Sequence, residues 1–342
     1  MNTFIIKALS DKEHFDPSTL SQHVPFTQAD VYGLWQKNLG REVKRFLISD
    51  NSGPVAYFQI LRFPLVFGKT YLYVPLGPVI KNVSEPLLVF LKQELQKIAH
   101  KENAVFTRLD FSPRIAPDVL SKFFTKSPLC TYHSAYFQPR VEWFLKLDKT
   151  ENEILMAMHE KTRYSIRLAE RKQITSEIVT ENFEKYFDIF YQLMFDTAKR
   201  NNFNLHSKEY YQNVFAGLDS KNAYISVAKF GEKVLAIDLV IVFSGVANYV
   251  FGGSSAEERN RMPTYLAQWC AVCHAKKLGC DFYSFGAISA EADIHKSWDG
   301  ITAFKKKFGG EAVVRSDFFD VVASPFWYHM YNLRRYFRSL LR

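Results

Sequence analysis

The chain has 342 residues, of which 47% are hydrophobic, 16% aromatic and 23% charged. This composition excludes a largely disordered chain and is sufficient for about two domains with cores of their own. Lysine and arginine outnumber aspartate and glutamate by 44 to 35. The excess favours an anionic partner such as RNA, a phosphorylated precursor or an anionic membrane face, although net charge alone is equally compatible with a merely basic soluble protein.

The N-terminal segment, the length of the apolar runs and the cysteine content indicate the cellular compartment. The N-terminal segment passes directly into polar residues, which does not resemble a signal peptide. No run reaches the roughly 18 uninterrupted apolar residues that a membrane span requires. Four cysteines fit a reducing compartment. We therefore expect a cytoplasmic protein.

The first half of the chain shows a hairpin followed by a helix and a strand. A helix over 29–39, which stops at Gly40, and a strand over 44–49 come first. The hairpin is predicted over 55–63 and 70–74, the helix over 85–100 and the strand over 104–110. Asp110 ends this strand, where a carboxylate can hold or deprotonate an attacking amine; the alternative is an ordinary turn residue.

The same order recurs about 180 residues later. A hairpin is predicted over 234–243 and 246–251, a helix over 263–277 and a strand over 281–285. The recurrence indicates an internal duplication of pattern rather than of identity. It predicts two similar α/β domains of mixed sheet, against the alternative that two such runs coincide by chance.

A basic helix is predicted between the repeats. A strand over 142–147 precedes a helix over 151–171, in which Arg163, Arg167 and Arg171 are four residues apart and therefore share one face. We interpret this face as a candidate RNA or phosphate site; a solvated surface is the alternative. A strand over 313–322 and a helix after Pro325 end the chain, with four arginines and no acid in the final segment. That segment suits an anionic membrane surface or RNA, or a docked helix with solvated arginines.

The stretch from Cys280 to Gly310 combines an aromatic strand with a lysine run. Lys305, Lys306 and Lys307 are consecutive and stand between Phe304 and Phe308. Three lysines in an aromatic surround predict a concentrated positive field for an anionic group. A solvated loop is the alternative.

Cofactor motifs are weak throughout. Cys270 and Cys273, followed by His274, match the short haem-attachment pattern, and Cys280 completes a metal quartet, but the segment falls inside a helical run where small cysteines pack like alanines. The nine histidines show no metal spacing. Neither helix that follows a hairpin begins with a glycine-rich phosphate loop, which counts against nucleotide hydrolysis and against an acyl-CoA donor. We predict no metal and no cofactor.

Several segments together resemble the Fem (FemABX-like) family of aminoacyl-tRNA-dependent peptidyltransferases of peptidoglycan bridge synthesis. The clearest are Tyr249-Val250-Phe251-Gly252-Gly253-Ser254-Ser255, Arg261-Met262-Pro263-Thr264-Tyr265-Leu266, Tyr283-Ser284-Phe285-Gly286-Ala287-Ile288 and the run from Gly300 to Gly310. Looser matches are Phe26-Thr27-Gln28, Leu76-Gly77-Pro78, Arg108-Leu109-Asp110 and the basic helix. The resemblance spans nearly the whole chain and is strongest from 249 to 310.

This resemblance implies α/β architecture with mixed sheets, arranged as two tandem acetyltransferase-like (GNAT) domains without the coiled-coil arm of some members. The first domain is expected over 1–144 plus 316–342 and binds the precursor; the second, over 145–315, faces the aminoacyl-tRNA. The implied partners are charged tRNA as donor substrate and a nucleotide- or lipid-linked peptidoglycan precursor, with no cofactor. A monomer in the cytoplasm, in peripheral contact with the inner membrane face, is expected.

The resemblance also implies roles for particular residues. Lys305 is expected to stabilise negative charge on the tetrahedral intermediate or the departing ribose oxygen, and Asp110 to orient the attacking amine and take its proton. The expected substrate-binding residues are Phe304, Tyr249, Gly252, Tyr265, Tyr283, Gly286, Lys37, Arg163, Arg167 and Lys306.

The chain departs from the family pattern at four positions. Ser284 and Ala287 stand where the family often has aspartate and a second glycine, and Tyr32 and Gln36 stand where it usually has tryptophan and a basic residue. The fold is unaffected, but the acceptor is left unassigned. Two alternatives remain open: an N-acyltransferase with another donor such as acyl-CoA, and a non-catalytic module that binds RNA or a membrane.

Overall fold

The structure, a computed structural model, describes residues 3–112, 115–128, 138–289 and 299–340. The chain divides into two compact units, Met1–Arg140 with Arg315–Arg342, and Val141–Val314. The predicted boundaries at 144/145 and 315/316 differ slightly from these. The difference at 144/145 arises because the strand that begins at Val141 pairs entirely within the second unit.

The first unit is built on a mixed sheet. Its strands, numbered along the whole chain, are β1 (Ile5–Leu9), β2 (Glu42–Asp50), β3 (Gly53–Pro64), β4 (Thr70–Val74), β5 (Val79–Ile80), β6 (Ala104–Leu109), β7 (Thr125–Lys126) and β15 (Phe319–Val322). The order across the sheet is β1-β2-β3-β4-β6-β15-β7, with β5 paired to β3. β4 and β6 are parallel, and β15 returns from the end of the chain to pair with β6.

Helices cover this sheet and supply its core. They are α1 (Asp30–Asn38), α2 (Glu85–Lys101), α3 (Pro117–Ser121) and α10 (Pro325–Leu340). Four leucines of α2, at 87, 88, 91 and 95, recur at helical spacing and are fully or almost fully buried. They belong to one apolar cluster with Ile48, Phe58 and Leu109 from the sheet. Burial of this stripe therefore fixes α2 on the sheet.

The second unit repeats the plan with a second sheet. Its strands are β8 (Val141–Lys146), β9 (Ile174–Val179), β10 (Ala223–Phe230), β11 (Lys233–Phe243), β12 (Val246–Ser254), β13 (Phe282–Ala287) and β14 (Glu311–Val314), in the order β14-β8-β13-β12-β11-β10-β9. Its helices are α4 (Glu151–Ala157), α5 (Glu160–Arg171), α6 (Phe187–Asn201), α7 (Lys208–Phe215), α8 (Pro263–Lys277) and α9 (Asp299–Lys306).

The predicted duplication is present in the fold. A hairpin, a helix and a strand follow one another as β3-β4-α2-β6 and again as β11-β12-α8-β13. In both repeats the last strand lies parallel to the second strand of the hairpin. A parallel neighbour requires a crossover connection, and α2 and α8 provide it.

Two elements that were predicted to be continuous are each divided in the structure. The helix predicted over 151–171 is two helices, because Met158 is extended and His159 caps α5 by accepting a hydrogen bond from the amide of Lys161. The strand predicted over 313–322 is β14 in the second sheet and β15 in the first. β9 and β10 were not predicted at all. Within the described parts of the chain, no helix combines the length and the apolar character needed to cross a bilayer.

Candidate functional site

The second sheet opens between β12 and β13. These parallel strands pair only through Val246–Asn248 and Phe282–Ser284, where their ladder ends. Beyond this point the pairing of β13 with β8 is irregular, and Gly286 adopts a φ of +73°. A side chain at Gly286 would place its Cβ 3.2 Å from the carbonyl oxygen of Tyr249, so glycine also keeps the opening clear.

Lys305 occupies this opening. It lies near the end of α9, is only 7% exposed, and donates a hydrogen bond from Nζ to the carbonyl oxygen of Ala287 at 2.6 Å. The same nitrogen lies 6.0 Å from the centroid of the Tyr249 ring. A cation held by a carbonyl and an aromatic face has a fixed position inside the sheet.

The surroundings of Lys305 bring its titration close to neutral pH. Burial lowers the pKa of Lys305 to about 8, and the nearby Glu142 opposes this shift. Glu142 is itself buried on β8, with Oε1 3.5 Å from the hydroxyl oxygen of Ser284. At pH 7 the ammonium form predominates, so Lys305 can donate hydrogen bonds to developing negative charge and can also give up a proton.

A buried polar group supports Tyr249. Asp238 of β11 lies opposite Gly252 of β12. Burial raises the pKa of Asp238 to about 8, while the nearby Gln268 and Tyr249 side chains act in the other direction. The hydroxyl of Tyr283 donates to Gln268 Oε1 at 3.0 Å. A Cβ at Gly252 would lie 2.1 Å from the Tyr249 hydroxyl, so this glycine makes room for the tyrosine.

Aromatic rings hold α9 in place. Phe308 is fully buried and packs on Phe285, with ring centroids 5.2 Å apart. Phe304 is half-buried, and its ring centroid lies 5.0 Å from that of Tyr265 and 5.2 Å from that of Phe308. Because these rings anchor both sides of Lys305 along the chain, the direction of its side chain is determined by packing.

The predicted field of three adjacent lysines is wrong. Successive residues of a helix point about 100° apart, so neighbouring side chains diverge. Lys306 is exposed and lies 5.6 Å from the ring of Trp143. Lys307 follows the helix, and its carbonyl accepts a hydrogen bond from the amide of His159 at 3.0 Å. Of the three, Lys305 is the one placed in the opening.

Asp110 lies in the first unit, directly after β6. It is almost fully buried; Oδ2 accepts a hydrogen bond from the Tyr73 hydroxyl at 2.6 Å, and Oδ1 accepts one from the amide of Leu76. Burial raises the pKa of Asp110 to about 8, against the effect of these two hydrogen bonds. Asp110 therefore lies at the end of the parallel pair β4 and β6, held by the hydroxyl of Tyr73 and the amide of Leu76.

The loop that contains Pro75 and Leu76, next to Asp110, is held by side chains of Thr27 and Gln28. The carbonyl oxygen of Pro75 accepts hydrogen bonds from Thr27 Oγ1 at 2.9 Å and from Gln28 Nε2 at 2.6 Å. A Cβ at Gly77 would lie 2.7 Å from Gln28 Nε2. The Phe26-Thr27-Gln28 and Leu76-Gly77-Pro78 segments thus form one buried arrangement around the carboxyl group.

Lys37 and the residues near it pair with one another in the first unit. Lys37 forms a salt bridge with Asp11. Tyr32 and Gln36 are buried, and the side-chain oxygen of Gln36 accepts a hydrogen bond from Arg41. Arg41 lies 5.2 Å above the ring of Phe63.

The basic helix face has the predicted register. Arg163, Arg167 and Arg171 line a surface depression of about 320 Å³ together with Glu160 and Tyr164. Arg163 also donates hydrogen bonds to the carbonyl oxygens of Met156 and Met158 at the α4–α5 junction. The depression offers guanidinium groups and one aromatic ring on a single helix face.

The predicted catalytic and substrate-binding residues lie in several separate parts of the structure. Seven gather around the opening or directly beneath it: Lys305, Phe304, Tyr249, Gly252, Tyr265, Tyr283 and Gly286. Tyr283 is fully buried, so it supports the site from below. Lys306 points elsewhere, Arg163 and Arg167 lie on α5, and Asp110 and Lys37 belong to the first unit.

Sequence reasoning missed Glu142, Asp238 and Gln268. A single acid inside the apolar run of β11 was a visible signal for Asp238, because charged residues are rarely buried without a function or a partner. Within the described ranges, no group of three or more histidine, cysteine, aspartate or glutamate residues could hold a metal ion.

Comparison with known proteins gives concordant results. The model of the FemAB family matches residues 120–231 and 226–335, which is more than half of the chain. A lipid II:glycine glycyltransferase of Staphylococcus aureus is 21% identical over 335 aligned positions, covering 76% of this chain and 79% of that protein.

Solved structures of similar fold extend over almost the whole chain. The crystal structure of FemX superposes with a TM-score of 0.80 at 18% identity, covering 95% of this chain and 99% of that one. A tandem GNAT protein from the clavulanic acid biosynthesis pathway gives a TM-score of 0.56 at 12% identity, covering 94% and 99%. The prediction of two tandem acetyltransferase-like domains is confirmed.

Proposed function

This chain belongs to the FemAB family, and from that premise we propose that it is an aminoacyltransferase that moves an amino acid from an aminoacyl-tRNA to the stem-peptide amine of a peptidoglycan precursor. The observation that carries the proposal is the buried ammonium of Lys305 in the opening between β12 and β13. The similarity to a lipid II:glycine glycyltransferase supports the same class of reaction.

The reaction is aminolysis of an ester. The amine nitrogen attacks the ester carbonyl carbon, an amide bond forms, and the bond to the ribose oxygen breaks. Lys305 donates a hydrogen bond to the oxygen that becomes negative, and with a pKa of about 8 it can protonate the departing ribose oxygen. The ester is already activated, so the chemistry requires no ATP and no metal.

The attacking amine must lose a proton, because a lysine-type amine has a pKa of about 10.4 in water. We propose Asp110 for this role. Each of its oxygens accepts one hydrogen bond within the protein, and a carboxylate oxygen can accept a second from an amine. With a pKa of about 8 the carboxyl is mostly protonated at pH 7, so the reaction uses its ionised fraction, which is a stronger base than an exposed aspartate.

Two features favour tRNA over acyl-CoA as the donor. The arginine face of α5 suits phosphates of a nucleic acid, which guanidinium groups bind well. The start of α8 lacks the usual pyrophosphate cradle: Pro263 stands at the first position and has no amide hydrogen, and the amide of Tyr265 is bonded to the carbonyl of Met262. Charged tRNA is cytoplasmic, so the proposal places the protein in that compartment.

The donor is tested with purified protein and a labelled acceptor. Nucleotide-linked and lipid-linked precursors are each incubated with tRNA charged with the individual amino acids, or with acetyl-CoA as the competing donor. Mass spectrometry of the stem peptide reports the product. We expect mass gain only with charged tRNA. Transfer from acetyl-CoA, with none from charged tRNA, would refute the proposal in favour of an ordinary N-acyltransferase.

The role of Lys305 is tested with Lys305→Met, which keeps the length of the buried stem and removes the charge. Loss of one donor to an oxyanion lowers the rate about 10²–10³-fold. The matched control is Lys208→Met, which removes an exposed lysine paired with Asp188 on the surface of the same unit. Single-turnover transfer at wild-type rate in Lys305→Met would exclude this lysine from the chemistry.

A further inference from the structure

The C-terminal helix α10 carries large apolar side chains on its outer face. Phe326, Met330, Leu333 and Phe337 are spaced by four, three and four residues, which places them in one stripe. Their exposed fractions are 69%, 44%, 38% and 55%. Such a stripe normally faces a core, so its exposure indicates an interaction surface.

The opposite face of α10 is the one that packs on the first unit. The Tyr328 hydroxyl donates to Asp320 at 2.8 Å, and the ring of Tyr331 lies 5.0 Å from that of Phe106. The helix is thus fixed to its own sheet by polar and aromatic contacts of one face. The outer stripe is not needed for that attachment.

A second apolar element extends the same surface. Between β3 and β4 the chain places Val66 and Phe67 at a hairpin tip, and Phe67 is 82% exposed. Phe67 adopts a φ of +57°, an unusual conformation for a bulky residue. Its ring lies 5.7 Å from that of Trp327 on α10. Backbone strain at an exposed aromatic residue is typical of a binding element.

Basic side chains lie near this surface. Lys69 lies 5.9 Å above the ring of Trp327, and Arg334 is exposed beside Leu333. The segment 325–342 contains four arginines and no acidic residue. Apolar side chains next to basic ones complement an anionic bilayer, where the former enter the headgroup region and the latter bind phosphates.

We propose that the surface formed by Val66, Phe67, Phe326, Met330, Leu333 and Phe337 docks on an anionic phospholipid bilayer. Aliphatic Met330 and Leu333 contribute to lipid burial, whereas a surface for RNA would offer mainly arginines and stacking rings. This inference concerns the first unit and does not depend on the proposed function. A membrane site would bring the protein to any acceptor that carries a lipid anchor.

The experiment measures sedimentation of the full chain with vesicles of phosphatidylcholine alone, or of phosphatidylcholine and phosphatidylglycerol in equal amounts. We expect binding to the anionic vesicles, decreasing with salt. The triple variant Phe67→Ser, Phe326→Ser, Phe337→Ser should bind at least about tenfold more weakly, because three apolar groups no longer enter the lipid. All three positions are exposed, so the fold should persist, and circular dichroism checks it.

A matched control replaces exposed phenylalanines of the second unit, Phe195→Ser and Phe203→Ser, and should bind vesicles like the wild type. Equal loss in triple variant and control would overturn the proposal. So would a wild-type protein that binds neither vesicle, or a triple variant whose defect lies in tRNA binding instead. A wild-type dimer that the triple variant dissociates, without vesicle binding, would assign the surface to a second copy of the chain.

Discussion

The two units place opposite ionisable groups at equivalent points of one plan. In the first, the parallel pair β4 and β6 ends at the carboxyl of Asp110, which the amide of Leu76 and the hydroxyl of Tyr73 hold. In the second, the parallel pair β12 and β13 ends early, and the ammonium of Lys305 fills the opening. The same topology therefore supports a carboxylic acid in one unit and an amine in the other.

Desolvation acts on both groups with opposite sign. Burial disfavours the charged form, so it raises the pKa of Asp110 to about 8 and lowers that of Lys305 to about 8. Two side chains whose ordinary pKa values differ by more than six units thus come to titrate in the same range. The fold therefore supplies the position of the ionisable group and excludes water from it, and the residue type decides the chemistry.

The sharpest test of this comparison is Asp110→Asn. The amide keeps an acceptor for the Leu76 amide but cannot take a proton from an amine, so the transfer rate should fall about 10²–10⁴-fold. The control Tyr73→Phe removes one hydrogen bond to the carboxyl and leaves its basicity available. Single-turnover rates at saturating substrate check this. Wild-type turnover in Asp110→Asn would make this residue a structural clamp of the Leu76 loop.

A second test removes the buried ion pair that joins the returning strand β15 to β6 in the first unit. Arg108 on β6 and Asp320 on β15 are both buried and joined by two hydrogen bonds of 2.8 Å. Arg108→Met leaves Asp320 as an uncompensated buried charge and should lower the free energy of unfolding by about 3–5 kcal/mol. Denaturant unfolding measures it.

The matched control for Arg108→Met is again Lys208→Met, whose partner Asp188 is exposed and which should stay near wild-type stability. Equal midpoints for the two variants would show that the returning strand β15 is held by its apolar residues instead.

A third test acts on the second unit. Gly252→Ala directs a methyl group at the Tyr249 hydroxyl and at Asp238, and the resulting shift should cost about 1–3 kcal/mol of stability and slow transfer by displacing the ring beside Lys305. Gly300→Ala is the control, because its Cβ would meet no atom of the described residues within 4 Å. Thermal unfolding and transfer rates report both effects. A stable, active Gly252→Ala would mean that Tyr249 has no part in positioning Lys305.

The pH dependence of stability gives the smallest expected effect per step, because it accumulates gradually over each pH unit. Asp238 has a folded pKa raised from 3.8 to about 8, so its contribution is complete below pH 4 and is lost as the pH rises to about 8. Lys305 has a folded pKa lowered from 10.5 to about 8, so stability is regained between about pH 8 and 10.5. Each slope is at most about 1.4 kcal/mol per pH unit.

Unfolding midpoints across this pH range check the signs. Asp238→Asn should reduce the slope between about pH 4 and 8, where Asp110 contributes with the same sign. Lys305→Met should flatten the alkaline side, and Asp188→Asn, at an exposed position, should change neither. An unchanged profile in Asp238→Asn would mean that this carboxyl is charged in the folded state.

Much of the plan was readable in the sequence, because it rests on local patterns. Alternation and glycine stops predicted β3, β4, β11 and β12, and helical spacing predicted α2 and α8. The order of these elements predicted the duplication. The motif around Phe304, Lys305 and Phe308 singled out the segment that enters the second sheet. These features depend on neighbours in the chain, so the chain itself reveals them.

Tertiary structure alone decided which groups meet. Apart from the family resemblance, nothing in the lysine run distinguishes Lys305 from Lys306 until α9 is packed by Phe308, because the helix turns each side chain by about 100°. Glu142 and Asp238 reach the site from β8 and β11, far away in sequence. β15 is bound to β6 by pairing across more than 200 residues. Desolvation, which sets both pKa values near 8, exists only once these distant segments have excluded water.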